Sequence, residues 1–134
     1  MLEISGLSGG WGPTLIVDDF SLSIAAGETV AIVGRNGVGK STLLELLVGR
    51  ASRHSGSIRL DGTEVSGLAI HERIVRGIGY VPQQREIFPS LTVAEHLAIA
   101  ARPGRWTPEA VRELFPSLAE RSRSPGGKLS GGEQ

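Results

Sequence analysis

The residues best suited to chemistry form one glycine-rich stretch, Gly34-Arg-Asn-Gly-Val-Gly-Lys-Ser41. Its spacing is G-x-x-x-x-G-K-[ST], in which glycines let backbone N–H groups turn inward and form a concave anion site. Lys40 would reach the β- and γ-phosphates of a nucleotide, and the Ser41 hydroxyl would be a ligand of Mg²⁺. The nucleotide-binding residues predicted in and next to this loop are Gly34, Arg35, Asn36, Gly37, Val38, Gly39, Lys40, Ser41 and Thr42.

Two predicted elements would hold this loop in place. Thr29-Val-Ala-Ile-Val33 is short and continuously apolar, which is typical of a strand covered on both faces in a parallel α/β sheet. Residues Lys40 to Val48 include four leucines and precede Gly49, which predicts a buried helix that ends there. The helix would present its positive N-terminal end to the anion. The probability of an accidental match to the motif somewhere in the chain is on the order of one in a hundred. The predicted strand before the loop and the predicted helix after it favour a phosphate-binding loop further.

Outside the loop and its flanking elements, the first half of the chain is rich in predicted strands and the second half in predicted helices. Apolar and β-branched residues predict strands at Leu15–Ile24, Ser57–Leu60 and Ile78–Val81. Capping residues, prolines and apolar spacing predict helices at 69–76, from Thr92 to before Pro103, and from Thr107 onward. The sequence therefore predicts a mixed α/β domain with a helical addition.

Composition narrows the range of partners. The 14 basic and 14 acidic residues balance, so charge gives no argument for nucleic acid, and we predict no nucleic-acid partner. The chain has no cysteine, which excludes disulfides and thiolate metal sites, and its three histidines lack the spacing of a metal site. We find no signal peptide and no apolar run near the ~20 residues of a membrane span. A role in transport would therefore need partner subunits.

A phosphate loop alone leaves small-molecule kinases, GTPases, and motor or transport ATPases open. The last six residues, Leu129-Ser-Gly-Gly-Glu-Gln134, resemble the signature sequence of ATP-binding-cassette (ABC) ATPases. Trp11-Gly12 lies where that family usually has an aromatic residue that stacks on adenine. Tyr80-Val-Pro-Gln83 is similar to the segment whose glutamine contacts Mg²⁺ and the attacking water. The interval from Gln83 to Leu129 is helix-rich, as in the family's helical subdomain.

The resemblance implies an α/β fold, that of a P-loop NTPase of the ABC type. Such a nucleotide-binding domain has an N-terminal β-subdomain, a parallel core sheet and a helical subdomain, and here the domain would be incomplete at its C-terminus. Residues 1–85 would form the nucleotide-binding α/β core with the N-terminal strands, and residues 86–134 the helical subdomain ending at the signature. The implied cofactors are ATP and Mg²⁺. Lys40 and Gln83 would be catalytic, and Ser41 and Gln83 would be the Mg²⁺ ligands. The residues implied to contact nucleotide outside the loop are Trp11, Ser130, Gly131 and Gly132.

The signature residues also imply partners. Ser130, Gly131 and Gly132 supply a hydroxyl and two unhindered N–H groups at what would be a helix N-terminus, a second anion site. In the family this site closes on the γ-phosphate held by the opposite subunit, so that two ATPase subunits form a head-to-tail dimer. The resemblance further implies transmembrane permease subunits, an indirect partnership with an extracytoplasmic solute-binding protein, and a cytoplasmic location on the inner face of the membrane.

Two further stretches indicate a subfamily. The segment from Tyr80 to Val93 and the segment Leu114-Phe-Pro-Ser-Leu118 resemble the ATPase subunits of bacterial importers for branched-chain amino acids, with which urea and amide importers share these residues. Gln84 stands where that subfamily usually places glycine. Either Gln83 or its neighbour Gln84 could therefore contact the metal.

Hydrolysis also needs an acidic residue to hold Mg²⁺ and a group that orients water. In ABC proteins these follow the signature, as an apolar strand ending in Asp-Glu and then a histidine, and the 134 residues contain neither. We therefore expect no detectable ATP hydrolysis by these residues alone. We also expect an uncovered apolar sheet edge, which favours aggregation. The second anion site should be weak because the signature helix stops in its first turn.

Other interpretations remain at individual positions and for the whole chain. Trp11 could simply cover a strand, Gln83 could be an ordinary amide at a strand end, and the last six residues could be a glycine-rich tail. Arg53, Arg121 and Arg123 are expected at solvated positions. The competing functions are a soluble ABC protein of translation or DNA repair and a non-catalytic protein that sequesters nucleotide or partner subunits.

Overall fold

The computed structural model describes all 134 residues, which form two compact units, Met1–Tyr80 and Val81–Gln134. The first unit contains strands β1 (Leu2–Trp11), β2 (Thr14–Ile24), β3 (Ser52–Leu60) and β4 (Thr63–Glu64), with helices α1 (Lys40–Val48) and α2 (Ile70–Val75). The second unit contains helices α3 (Val93–Ala100), α4 (Pro108–Leu114) and α5 (Pro116–Glu120) and a 3₁₀ turn at Gly126–Lys128.

The strands form one antiparallel sheet in the order β2-β1-β3-β4. In the β1–β2 hairpin, Leu2 lies opposite Ile24 and Trp11 lies opposite Thr14. Gly12 in the turn has a φ of 56°, which favours glycine at this position. Shifts of register interrupt the pairing of β1 with both neighbours and bend the strand in its middle.

Helix α1 packs on this sheet and forms the core of the first unit. Leu43 and Leu46 of the helix join a buried cluster that includes Leu7 and Ile58 from the sheet. Gly9 lets the helix come close, because a Cβ atom there would lie 2.4 Å from the Ser52 carbonyl oxygen and 2.6 Å from Leu46 Cδ2. The sheet therefore fixes the position of the helix that follows the phosphate loop.

The two strands predicted for the parallel core sheet do not form within these residues. The segment Thr29–Val33 forms no strand, and Val33 is 87% exposed; the predicted strand Ile78–Val81 is also irregular, with Val81 87% exposed. A strand exists only with a hydrogen-bonded neighbour, and no other segment of the chain pairs with either stretch. Apolar sequence alone thus does not form the strand that precedes the loop.

The predicted helix starts of the second unit are confirmed. Thr92 caps α3, accepting a hydrogen bond from the Glu95 N–H at 3.3 Å, while its own N–H donates to the Glu95 carboxylate at 2.7 Å. Thr107 caps α4, which begins at Pro108. The loop after α5 returns to the start of α3, where the N–H of Val93 donates to the Ser124 carbonyl at 3.1 Å. None of the helices is both long and apolar enough to cross a membrane.

Candidate nucleotide-binding site

The glycine-rich loop ends directly at the N-terminus of α1. Gly37 and Gly39 have φ values of 82° and 98°, in the left-handed region that other residues disfavour. Gly39 is the cap of the helix and carries no side chain, so the first N–H groups of α1 have no side-chain acceptor. A Cβ atom at Gly39 would also lie 3.1 Å from Ile16 Cγ2. The loop conformation therefore depends on these glycines and leaves donors available to an anion.

The side chain of Lys40 folds back over the phosphate loop. Its Nζ donates hydrogen bonds to the carbonyl oxygens of Gly34 at 2.8 Å and Arg35 at 2.7 Å. Two of the three ammonium donors are thus satisfied by the loop itself, and an anion held by the loop could accept the third. Ser41 is the next residue of the helix and is exposed, so its hydroxyl oxygen is accessible as a ligand for a hard cation.

A cavity of about 260 Å³ opens beside the loop, on the side of β2. Its lining is mostly apolar and includes Ile16, Phe20 and Val33, with Lys40 and Asp18 as its charged residues. An apolar lining does not suit a triphosphate. The phosphates would therefore be bound by the loop and the first turn of α1 rather than inside this cavity.

Trp11 is the last residue of β1 and is 49% exposed. The turn that follows it is held by His54, whose Nε2 lies 2.8 Å from the Gly12 carbonyl oxygen. Gly10 permits the tight hairpin, because a Cβ there would lie only 2.0 Å from the Thr14 carbonyl oxygen. An exposed indole face on a fixed turn can stack on a base.

Gln83 and Gln84 lie exposed in a tight turn at the start of the second unit. The N–H of Arg85 donates to the Pro82 carbonyl at 3.0 Å. Arg85 and Glu86 both have positive φ, 62° and 50°, although neither is glycine. Residues held in this region cost of order 1–3 kcal/mol each and are concentrated at functional segments.

The signature residues form a single helical turn. The N–H groups of Glu133 and Gln134 both donate to the Ser130 carbonyl at 3.1 Å, and the Ser130 N–H donates to the Glu133 carboxylate at 2.8 Å. This backbone hydrogen bond, followed by one from the Ser130 hydroxyl, lowers the pKa of Glu133. Gly131 and Gly132 remain exposed. Their N–H groups, rather than that of Ser130, are the ones that an anion could reach.

A polar cluster that no sequence motif indicates lies at the other end of α1. Tyr80 Oη donates to Glu45 Oε1 at 2.8 Å, and Arg50 Nε lies 3.1 Å from Glu45 Oε2. The Arg50 guanidinium also lies 6.0 Å from the centre of the Tyr80 ring. Tyr80 was identified only as part of a motif, and no spacing signal could pair it with a glutamate 35 residues away. The cluster joins α1 to Tyr80, the last residue of the first unit.

No group of three or more His, Cys, Asp or Glu side chains is arranged to hold a metal ion. Magnesium prefers oxygen ligands and usually keeps several waters, with one or two protein ligands and substrate phosphates. The Ser41 hydroxyl at the start of α1 fits such a role, in which the nucleotide and water would provide the other ligands.

Comparisons with known proteins identify the family of the chain. A sequence profile of the ABC transporter family matches residues 17–134. The whole chain aligns with the high-affinity branched-chain amino acid transport ATP-binding protein BraG of Pseudomonas aeruginosa at 39% identity, and with a probable branched-chain amino acid transport ATP-binding protein, LivF, of Archaeoglobus fulgidus at 38%. It also aligns at 36% identity with the lipopolysaccharide export system ATP-binding protein LptB of Haemophilus influenzae. The chain spans about 60% of the length of these relatives.

Solved structures give the same result for the fold. An ATP-binding subunit of an ABC transporter superposes with a TM-score of 0.79 at 31% identity, over 98% of this chain and 57% of the other. A dimeric ATP-binding cassette in a post-hydrolysis state with ADP and Pi superposes with a TM-score of 0.74 at 25% identity, over 99% and 65%. The predicted ABC-type fold is confirmed, and the phosphate-loop classes that the loop alone left open are reduced to one. The chain belongs to the ABC transporter family.

Proposed function

We propose that this chain binds ATP with Mg²⁺ through the loop at residues 34–41, as part of the ATP-binding subunit of an ABC transporter. The observation that carries the proposal is the geometry at the start of α1. There, left-handed Gly37 and Gly39 leave the first helical N–H groups uncapped, and Lys40 lies over the loop. A helix N-terminus with a concave loop of N–H donors and one cation is suited to a polyphosphate.

Each residue would contribute a separate interaction with the nucleotide. The N–H groups of residues 34–42 would bind the phosphate oxygens, and Lys40 would exchange its carbonyl partners for the β- and γ-phosphates. Trp11 would stack on adenine. Bound Mg²⁺ would neutralise charge developing on the phosphates. Ser41 and Gln83 would hold that ion, and Gln83 would orient the attacking water.

The signature turn would act on a second nucleotide. Ser130, Gly131 and Gly132 would contact the γ-phosphate held by another ATPase subunit, giving the head-to-tail dimer that the sequence resemblance implies. The dimeric post-hydrolysis cassette among the structural relatives supports this arrangement. We also propose permease partners on the inner face of the cytoplasmic membrane, with a solute-binding protein acting on the outer side, because the relatives carry transport names.

We propose import of branched-chain amino acids, or of related urea or amide solutes, as the transport reaction. Whole-chain identities of 39% and 38% to branched-chain amino acid transport proteins support this cargo. The second candidate is lipopolysaccharide export, which the LptB relative at 36% identity favours. In cells lacking the gene, uptake of radiolabelled leucine, urea or acetamide would fall for at least one of the three solutes under the first proposal. Uptake of all three would stay unchanged under the second.

The described residues alone are proposed to bind nucleotide without turning it over. The loop at residues 34–41 contains no Asp or Glu, so the acidic partner that Mg²⁺ needs for hydrolysis would come from outside the loop. Steady phosphate release by the 134 residues that disappears in Lys40→Ala would contradict this part of the proposal.

Isothermal titration calorimetry with Mg-ATP tests the nucleotide proposal. The unmodified chain should bind, and Lys40→Ala should weaken binding by at least tenfold, because a charge-assisted contact to phosphate contributes ~1.5–3 kcal/mol. Lys128→Ala is the matched control, since it removes the chain's other lysine, at an exposed position in the second unit. Equal affinities for the unmodified chain and Lys40→Ala would contradict a phosphate site at this loop.

A further inference from the structure

The C-terminal end of α1 is bound by a buried guanidinium that no sequence motif identifies. Arg73 of α2 is only 4% exposed. Its Nη1 donates to the carbonyl oxygens of Leu46 at 2.9 Å and Leu47 at 2.7 Å, both in α1. Its Nη2 donates to the Ser66 carbonyl at 2.7 Å, and its Nε donates to the Leu68 carbonyl at 3.0 Å. One side chain therefore joins the end of α1 to the segment that follows β4.

This guanidinium is a buried charge whose hydrogen-bond partners are all backbone carbonyls. Burial lowers the pKa of Arg73, with a smaller effect from Arg53 nearby, but an arginine stays charged in proteins. The last carbonyls of a helix carry partial negative charge, so a cation placed there is stabilised. Helix α1 has no basic residue in its own last turn. Arg73 supplies the missing positive charge from a different helix.

The glycine that ends α1 is part of the same arrangement. Gly49 has a φ of 87°, and its N–H donates to the carbonyl oxygens of Glu45 and Leu46. A Cβ atom at this position would lie 3.1 Å from Arg73 Cζ and 3.2 Å from its Nε. The guanidinium thus lies directly against the glycine, and the helix end is shaped around it.

The two ends of α1 are mechanically connected. The helix has nine residues and is therefore ~13 Å long at 1.5 Å per residue, a length over which an α-helix moves as one body. Its C-terminal end is held by Arg73, whereas its N-terminal end begins at Gly39 without a side-chain cap and carries Lys40 and Ser41. A small change in the direction of the helix axis would therefore displace the N–H groups and both side chains at the phosphate end.

We propose that Arg73 is a positioning residue for the phosphate loop. By binding the C-terminal carbonyls of α1, it fixes the axis of the helix against the sheet and so holds Lys40, Ser41 and the first N–H groups where the β- and γ-phosphates bind. This inference rests on the proposed nucleotide-binding function. Nucleotide binding would then require, besides the loop motif, a cation at the C-terminal end of α1.

Calorimetric titrations with Mg-ATP and with AMP test this role. Arg73→Met keeps an unbranched apolar side chain but removes the guanidinium, and we expect it to raise the Kd of ATP about tenfold, equivalent to ~1.4 kcal/mol. AMP lacks the β- and γ-phosphates, so its Kd should change less than twofold. Arg73→Lys retains the charge but cannot reach all four carbonyls, and its ATP affinity should be intermediate. Arg76→Met, an exposed arginine that follows α2, is the matched control and should bind both ligands normally.

The ratio of the two dissociation constants separates positioning from simple stabilisation. Loss of folded protein would lower the fraction of binding sites for both ligands equally and leave the Kd ratio unchanged. An unchanged ratio in folded Arg73→Met overturns the inference, and if that variant does not fold, an unchanged ratio in Arg73→Lys overturns it instead. If the unmodified chain does not bind ATP, the proposed nucleotide-binding function is refuted. If it binds ATP but substitutions of Arg73 leave the ratio unchanged, only the role of Arg73 is refuted.

Discussion

Replacing Gly39 by alanine should impair ATP binding much more than the same change at another glycine of similar backbone conformation. Gly39 has a φ of 98° and Gly62 a φ of 75°. Forcing an L-residue into this region costs roughly 1–2 kcal/mol, so both substitutions should destabilise the fold by about that amount. The surroundings differ, because a Cβ at Gly39 would lie 3.1 Å from Ile16 Cγ2, whereas a Cβ at Gly62 has no atom within 4 Å.

Strain at Gly39 is relieved most directly by rotating the backbone where α1 begins. That rotation would turn the adjacent N–H groups and Lys40 away from the anion position. We therefore expect Gly39→Ala to raise the Kd of Mg-ATP at least tenfold, equivalent to ~1.4 kcal/mol, while Gly62→Ala leaves it within twofold. Urea unfolding would verify that both variants are folded, and calorimetry would give the affinities. A folded Gly39→Ala protein with normal ATP affinity would refute the reasoning.

Three other predictions concern the packing and polar contacts around the site. Leu46→Ala should lower the free energy of unfolding in urea by about 2–5 kcal/mol because Leu46 is 1% exposed. Leu44 is 40% exposed, so Leu44→Ala should lower it by only about 1–2 kcal/mol. Equal losses would contradict the packing. Tyr80→Phe should cost about 1 kcal/mol through loss of its hydrogen bond to α1, and an unchanged urea midpoint would argue against that bond. Hydrogen bonds from the Thr92 N–H and, to a smaller extent, from its hydroxyl lower the pKa of Glu95 below 4.5. The stability gained from this carboxylate is therefore present above pH 4.5 and lost as the pH falls through the lowered pKa. The difference in unfolding free energy between the unmodified chain and Glu95→Gln should shrink in acid, and a constant difference from pH 7 to pH 3 would be inconsistent with the shift.

Local features of the site could be predicted from the sequence, whereas features that depend on distant residues could not. The helix after the loop, its end at Gly49 and the cap at Thr92 follow from residues within a few positions of one another. The strand predicted at residues 29–33 does not form, because a strand needs a partner that apolar sequence cannot supply. The contacts of Arg73 with α1 join residues 26 and 27 positions apart and follow no periodic pattern.

The contacts of Lys40 with the loop are present without a preceding strand. Lys40 still lies over the carbonyls of Gly34 and Arg35, although the residues before them form no strand. Helix α1 packs on β1 and β3 through Leu46 and the space left by Gly9. Within these residues the phosphate loop is connected to the sheet through α1, the helix that follows it.

Amide hydrogen exchange with and without Mg-ATP tests the central claim most directly, because it locates the bound phosphates on the chain. If the loop and the first turn of α1 bind the phosphates, the N–H groups of residues 36–42 should exchange more slowly with Mg-ATP than without it, while those of Thr63 and Glu64 in β4 should be unchanged. At the same concentration of Mg-ATP, Lys40→Ala should reduce the protection. ATP binding that leaves exchange at residues 36–42 unaltered would contradict the claim that these residues form the nucleotide site.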